Sequence, residues 1–206
     1  MRPRARGPSR IATSSSTPLE RWLAAVVATP GLTSLRDPAE ARRVLLEDSL
    51  LGADLVGSFE GPIVDVGSGG GAPGIPLAHA LPDREMTLLE AQGRKCAFLR
   101  EHAPANALVI QGRAEEQEVD VYGVAVAKAL APPPVAAEWC LPLVRVGGAA
   151  ILWVGPSAEV DRVATVATRL AAELEEADGF LVLHKIGPTP DGFPRRPGMA
   201  KKRPLA

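Results

Sequence analysis

The chain has 206 residues, 46% of them hydrophobic and 23% charged, and its formal net charge at pH 7 is −1. These proportions are close to the average for a globular protein and suffice for one domain with short extensions. No stretch approaches the roughly 20 apolar residues that a membrane span requires. The two cysteines, Cys96 and Cys140, are too few for a disulfide framework or a zinc cluster. We therefore expect a cytoplasmic protein with no metal and no membrane partner.

The charge is unevenly distributed along the chain. Residues 1–17 carry four arginines and residues 193–206 carry five basic residues, both without an acid, so the stretch between them has a net charge of −10. We predict that both ends are basic tails, the first of them disordered. Such a distribution is typical of a nucleic-acid-binding protein with a separately folded catalytic core, although basic ends can also serve solubility alone. The first interpretation predicts phosphate contacts from the C-terminal residues Arg195, Arg196, Lys201 and Lys202.

Residues 18–58 form the predicted N-terminal helical segment. Residues 19–28 have the apolar spacing of a short amphipathic helix. Asp37 followed by Pro38 predicts a second helix start, because aspartate caps helix N-termini and proline is favoured at the first helical position. Apolar residues at helical spacing continue this second helix to about residue 56.

The predicted catalytic domain occupies residues 59–192, where short apolar runs alternate with helical patterns. We predict strands over residues 62–66, 86–90, 107–111, 121–127, 149–155 and 180–186. We predict helices over residues 75–81, 93–102, 134–144 and 157–177. This alternation implies right-handed crossovers and a mainly parallel sheet covered on both faces, a doubly wound α/β fold. In the tail that follows, three prolines argue against a helix, and the tail either extends into solvent or folds back across the domain.

A glycine-rich loop, VDVGSGGGAPG over residues 64–74, follows the first strand of this domain. In such sheets ligands bind beyond the carboxyl ends of the strands, usually after the first one. Glycines there let the backbone approach a ligand closely and point amide groups at it. Gly67, Gly69 and Ala72 match the dinucleotide pattern G-x-G-x-x-G/A, so the glycines alone also allow NAD.

The residues around the loop favour S-adenosylmethionine over NAD. Asp65 stands where a dinucleotide-binding strand is normally apolar, and its carboxylate suits a ligand that carries a sulfonium and an ammonium group. Pro73 and Pro76 remove amide donors that a pyrophosphate would need. Glu90 ends the second strand, where it can accept hydrogen bonds from ribose hydroxyls of either cofactor. We therefore predict an S-adenosylmethionine-dependent methyltransferase, with a nicotinamide-dependent oxidoreductase as the alternative.

The loop after the third predicted strand is a candidate adenine site. It has the sequence GRAEE over residues 112–116. The Glu115 carboxylate can accept a hydrogen bond from the exocyclic amine of adenine, and the backbone of Ala114 and Glu115 can meet the edge of the ring. A solvated acid at the start of a helix is the alternative interpretation of Glu115.

Several segments resemble the bacterial small-subunit rRNA guanine-N7 methyltransferases known as RsmG or GidB. The similar segments are GLTSLRDPAEA from residue 31, DVGSGGGAPGIPLA from 65, TLLEAQGRKCAFLRE from 87, GRAEE from 112, EWCLPLVRVGG from 138 and FPRRPGMAKKRPL from 193. The resemblance implies methyl transfer to a guanine of 16S rRNA, either naked or in the 30S subunit, by a protein expected to be a monomer. It places the cofactor contacts at Gly67, Ala72, Glu90, Ala114, Glu115 and Lys128.

The sequence departs from the pattern of that family at four positions. Members usually carry Asn at Gly31, His at Leu45, Arg at Lys128 and Lys near Val154. These departures leave open a non-catalytic, RNA-binding or ribosome-binding relative. We predict no catalytic residue, because the N7 lone pair of guanine is free at neutral pH and its methylation needs no general base.

Overall fold

A computed structural model of the chain describes residues 16–156 and 158–206. The predicted N-terminal tail lies outside the described residues, except for Ser16 and Thr17. Thr17 caps the first helix, because its hydroxyl oxygen accepts a hydrogen bond of 3.2 Å from the amide of Glu20.

A seven-stranded sheet in the order β3-β2-β1-β4-β5-β7-β6 forms the centre of the molecule. Its strands are β1 (Ile63–Val66), β2 (Met86–Glu90), β3 (Ala107–Gln111), β4 (Tyr122–Lys128), β5 (Val144–Trp153), β6 (Ala172–Ala177) and β7 (Phe180–Lys185). The first five strands are parallel, whereas β7 pairs antiparallel with both β5 and β6. The predicted doubly wound, mainly parallel α/β fold is confirmed.

Helices cover both faces of this sheet. They are α1 (Pro18–Ala28), α2 (Pro38–Ala41), α3 (Asp48–Leu50), α4 (Ala53–Gly57), α5 (Gly74–Ala80), α6 (Gly93–His102), α7 (Pro133–Cys140), α8 (Val160–Arg169) and α9 (Met199–Lys202). A π-helical turn (Arg42–Glu47) joins α2 to α3, and two short 3-10 turns occur at Ala114–Glu116 and Leu141–Leu143. Buried residues of α1 to α6 pack on one face, and those of α7 to α9 pack on the other.

The single helix predicted from Pro38 to about residue 56 is wrong, because the chain there forms several short helices. Its predicted start is confirmed, since Asp37 Oδ1 accepts a hydrogen bond of 2.7 Å from the amide of Glu40. The break falls at Leu51 and Gly52. A Cβ at Gly52 would overlap the Trp153 indole, so glycine, which also weakens a helix locally, lets the break lie this close to the sheet.

The long helix predicted over residues 157–177 is also wrong. Helix α8 ends at Arg169, and Ala171, with φ of +53°, turns the chain into the edge strand β6. The sequence of β6, AELEEA, has good helix formers. Pairing with β7 along the whole strand and burial of Ala172 outweigh this preference, as tertiary contacts often do.

Candidate cofactor site

A cleft of about 660 Å³ lies at the carboxyl ends of the parallel strands. Its volume is within the range of small-molecule sites, and its position at the point where the strand order reverses is where α/β sheets bind ligands. The glycine loop, the end of β2, the loop after β3 and the end of β4 line the cleft. The N-terminal helices and the C-terminal segment complete its walls.

The glycine loop forms the floor of the cleft. Gly67, Gly69 and Ala72, all predicted from the sequence, line it. The amide of Gly67 donates a hydrogen bond of 2.8 Å to the carbonyl of Leu89, which fixes the loop to β2. Gly67 has a φ of +72°, and a Cβ there would overlap the side chain of Leu130. Only glycine satisfies both conditions at this position.

Asp65 holds the glycine loop in place but does not line the cleft. Only 1% exposed, it accepts a hydrogen bond of 3.1 Å through Oδ2 from the amide of Gly74. Side chains alternate along β1, so Asp65 points with Ile63 towards the face that carries α5. The sequence-based expectation that its carboxylate faces the cations of the cofactor is therefore corrected. Burial raises the pKa of Asp65 to about 7.

This raised pKa predicts a pH-dependent contribution of Asp65 to stability. The folded state holds the Asp65 proton more tightly than the unfolded state, in which the pKa is 3.8. The stabilisation is therefore complete below about pH 4 and is lost as the pH rises through 7. Between pH 5 and pH 8 we expect the unfolding free energy to fall by about 3 kcal/mol more in the wild type than in Asp65→Asn. Urea unfolding of both proteins at the two pH values measures this difference, and parallel profiles would contradict it.

Glu90 ties the end of β2 to the glycine loop. Its Oε2 accepts a hydrogen bond of 3.0 Å from the amide of Gly69, and its Oε1 accepts one of 2.8 Å from the amide of Gln92. The side chain is 6% exposed and lines the cleft. Each carboxylate oxygen has a second lone pair, so Glu90 can still accept hydrogen bonds from ligand hydroxyls.

The loop after β3 brings the predicted adenine contacts to the opposite wall of the cleft. Ala114 is buried, Glu115 is half-buried, and both line the cleft. Glu115 Oε1 accepts a hydrogen bond of 3.0 Å from the amide of Gly198. The C-terminal segment thus orients the carboxylate that the sequence assigned to adenine, and the sequence did not predict this contact.

Lys128 lies at the end of β4 and connects the cleft to the N-terminal helices. Its Nζ donates a hydrogen bond of 2.6 Å to the carbonyl of Val44 and lies 2.8 Å from Asp48 Oδ2. The side chain lines the cleft and is 11% exposed. A compact ammonium with three donors can make these two contacts without the planar fork of the arginine that family members usually carry.

The other three departures lie in ordinary structural settings. Gly31 has a φ of +83°, a left-handed conformation that asparagine, the usual family residue, also tolerates. Leu45 lines the cleft and packs against the core on the α1–α6 face. Val154 packs against the core on the other face, where its amide donates to the carbonyl of Gly179.

Two tryptophans contribute to the cleft, although the sequence gave no signal that separated them from core residues. Trp22 of α1 donates a hydrogen bond of 2.8 Å from Nε1 to the carbonyl of Gly70 in the glycine loop. Trp139 of α7 lines the cleft, with the ammonium of Lys201 at 5.1 Å from its ring centroid. An amphipathic-helix pattern marks such residues as buried, but it cannot show which loop they will meet.

The C-terminal segment, residues 193–206, folds back onto the domain, and the one-turn helix α9 forms between its prolines. The expectation that this segment contains no helix is therefore wrong, whereas the alternative that it folds back is confirmed. Arg195 is not free to contact phosphate as predicted, because Nε and Nη2 each lie 2.6 Å from an oxygen of the buried Glu138. Arg196, Lys201 and Lys202 are exposed, and Lys201 lines the cleft.

Over residues 16–156 and 158–206, no helix is long and apolar enough to cross a membrane. Within the same ranges, no three His, Cys, Asp or Glu side chains are grouped so that they can hold a metal ion.

Solved structures with a similar fold are methyltransferases. They include an S-adenosylmethionine-dependent O-methyltransferase from Thermotoga maritima, with a TM-score of 0.54 and 17% identity over 70% of this chain and 67% of that one. A tRNA methyltransferase from Aquifex aeolicus has a TM-score of 0.52 and 12% identity over 68% of this chain and 69% of that one. At these identities the similarity establishes the fold alone.

Sequence comparisons identify the family. The model of the GidB family, described as rRNA small subunit methyltransferase G, matches residues 19–178. Ribosomal RNA small subunit methyltransferase G of a Synechococcus species is 36% identical over 206 aligned residues, which cover 86% of this chain and 79% of the relative. The protein of the same name from Moorella thermoacetica is 36% identical and covers 84% of this chain and 82% of the relative. The oxidoreductase alternative is not favoured by these matches: the chain belongs to the GidB family of small-subunit rRNA methyltransferases.

Proposed function

We propose that the protein transfers a methyl group from S-adenosylmethionine to N7 of a guanine in 16S rRNA. The observation that carries this proposal is the cleft beside Gly67 and Glu90, at the strand ends, in a chain that belongs to the GidB family. The name of its relatives indicates the small ribosomal subunit as the substrate. The position on guanine follows from the family resemblance of the sequence.

The residues of the cleft suit the methyl donor. The backbone of the loop at Gly67, Gly69 and Ala72 forms a surface without side chains beyond Cβ, against which the amino-acid end of the donor can pack closely. Glu90 offers its carboxylate to the ribose, and Ala114 and Glu115 offer a backbone edge and an acceptor to adenine. In this arrangement Asp65 acts indirectly, by holding Gly74 and so the loop.

The chemistry requires positioning and no proton transfer before the methyl group moves. When bound, S-adenosylmethionine supplies a methyl group on a sulfonium, which the neutral N7 lone pair of guanine can attack. The cleft holds the two partners in line, and well-oriented reactants gain about 7–11 kcal/mol of barrier reduction in this way. This explains why Glu90 and Glu115, the acids in the cleft wall, are both engaged with backbone amides and are assigned to binding.

The proposed RNA contacts of the C-terminal segment are Arg196, Lys201 and Lys202, which are exposed, and Lys201 also lines the cleft. Arg195 instead holds this segment against α7. We also propose that residues 18–58 work together with the domain at 59–192, because Trp22 contacts the glycine loop and Lys128 contacts Asp48. One chain supplies all these contacts, so we propose that the active form is a monomer.

Transfer of labelled methyl groups tests the proposed activity. Incubating the protein with labelled S-adenosylmethionine and 16S rRNA or 30S subunits that lack the modification is expected to label a single guanine at N7. Heat-denatured protein and subunits that already carry the modification serve as controls. Calorimetric binding of S-adenosylmethionine without labelling of either substrate would favour the non-catalytic RNA-binding relative, and tight binding of NAD alone would overturn the proposal.

A further inference from the structure

Three basic side chains line the cleft from three separate elements. Lys95 lies in the first turn of α6, Arg113 follows β3, and Lys201 belongs to α9. None of them forms an ion pair with any residue in the described ranges. Five other basic side chains do pair with carboxylates, namely Arg42, Lys128, Arg162, Lys185 and Arg195.

The methyl donor does not account for three unpaired cations in one cleft. S-adenosylmethionine carries a sulfonium, an ammonium and one carboxylate, so its own net charge is positive. Basic groups around it repel two of its three charges, and a single carboxylate needs at most one of them. The part of the chain between the basic ends has a net charge of −10, so Lys95 and Arg113 are basic groups in a predominantly acidic part of the chain. A second, negatively charged ligand is the simplest explanation.

We propose that Lys95, Arg113 and Lys201 form a cationic rim that binds RNA phosphates on either side of the guanine to be methylated. This inference rests on the proposed function. A base that reaches the donor must leave its stack and enter the cleft, while its phosphates stay at the mouth. The rim places positive charge at that mouth, on walls contributed by α6, the loop after β3 and α9.

The contacts of the rim residues fit this role. Lys201 lies against the Trp139 ring at 5.1 Å, and this cation–π contact restricts the ammonium to the cleft side of α9. The planar guanidinium of Arg113 can hold two phosphate oxygens at once. The hydrogen bond from Gly198 to Glu115 attaches α9 to the same loop that carries Arg113, so two rim residues keep a fixed relation to each other.

The salt dependence of RNA binding tests the rim. A variant with Lys95→Ala, Arg113→Ala and Lys201→Ala is compared with the wild type, with unmodified 16S rRNA transcript as the probe. Each lost phosphate contact lowers the slope of log K against log salt by about 0.7–0.9, so we expect the slope to fall by about 2–3. Far-UV circular dichroism of the same variant is expected to match that of the wild type, which shows that the protein is folded.

A control variant removes the same charge elsewhere. Arg100, Arg145 and Arg169 are exposed and do not line the cleft, and Arg100 shares α6 with Lys95. Replacing these three with alanine is expected to leave the slope close to that of the wild type. Equal slopes for the two triple variants would overturn the rim. Failure of the wild type to methylate any RNA would instead overturn the proposed function. The salt slopes of RNA binding are measured without methyl transfer, so a failure of the rim can be distinguished from a failure of the proposed function.

Discussion

Replacing Gly67 with alanine is expected to weaken the binding of S-adenosylmethionine by about 100-fold or more. Alanine at a φ of +72° costs about 1–2 kcal/mol, and its Cβ would also overlap Leu130. The loop can relieve the backbone strain only by leaving the conformation that forms the floor of the cleft, and Leu130 can relieve the overlap only by turning its side chain, which itself lines the cleft. The fraction of molecules competent to bind then falls, and the apparent Kd rises in proportion. A 100-fold rise corresponds to about 2.7 kcal/mol, and calorimetric titration measures it directly.

Gly179 provides a matched control for this substitution. It has a φ of +77°, it lies in the turn between β6 and β7, and a Cβ there would meet nothing within 4 Å. Gly179→Ala therefore introduces the same backbone strain without an overlap and away from the cleft. We expect it to lower stability by about 1–2 kcal/mol and to leave the Kd within about twofold. Similar losses of affinity in the two variants would show that global strain, and not the cleft floor, causes the effect.

The parts of the fold that could be predicted from the sequence are those that local patterns determine. Strands β2 and β3 and helix α6 begin and end at the predicted residues, because turn residues bound each of these segments. The errors at Gly52 and at β6 lie where the segment packs against another element of the fold. The helix is interrupted at Gly52, which lies close to Trp153, about 100 positions away. In β6 an edge position beside β7 takes a segment of helix formers into a strand.

The same distinction holds for the candidate site. The positions of Gly67, Gly69 and Glu90 follow from strand–loop–helix order, because that order alone brings them to the carboxyl edge of the sheet. That order does not predict the direction in which a side chain points. Asp65 belongs to the predicted loop region, but its side chain lies on the face of β1 that carries α5. It therefore points towards Gly74 and away from the cleft.

Contacts between distant segments could not be predicted in this way. Trp22 meets Gly70, and Gly198 meets Glu115, across intervals of 48 and 83 residues. Neither contact has a local signature, because each depends on how the terminal segments pack against the finished domain. The basic composition of residues 193–206 predicted phosphate contacts, but it did not show that Arg195 pairs with the buried Glu138.

Replacing Arg195 is expected to lower stability more than Gly179→Ala or Glu138→Leu does. Glu138 is 4% exposed, and Arg195 holds both of its oxygens at 2.6 Å. Arg195→Met leaves a buried carboxylate without its partner, and breaking a buried pair from one side costs about 3–5 kcal/mol. Urea unfolding at neutral pH measures the change. Because the same substitution removes one of the contacts that hold the C-terminal segment against α7, we also expect trypsin to cleave at Lys201 and Lys202 faster than in the wild type.

Replacing Glu138 distinguishes the cost of burying an unpaired carboxylate from the contribution of the Arg195–Glu138 ion pair itself. Glu138→Leu removes the buried charge and leaves Arg195, whose side chain is 20% exposed and can turn towards water, so the expected loss is smaller, about 1–2 kcal/mol. The double variant, Glu138→Leu with Arg195→Met, is expected to recover most of the stability lost in Arg195→Met, because no uncompensated charge remains. Additive losses in this cycle would contradict the interpretation. They would mean that packing of the arginine stem, rather than its charge, attaches the segment that carries Gly198 and Lys201 to the wall of the cleft.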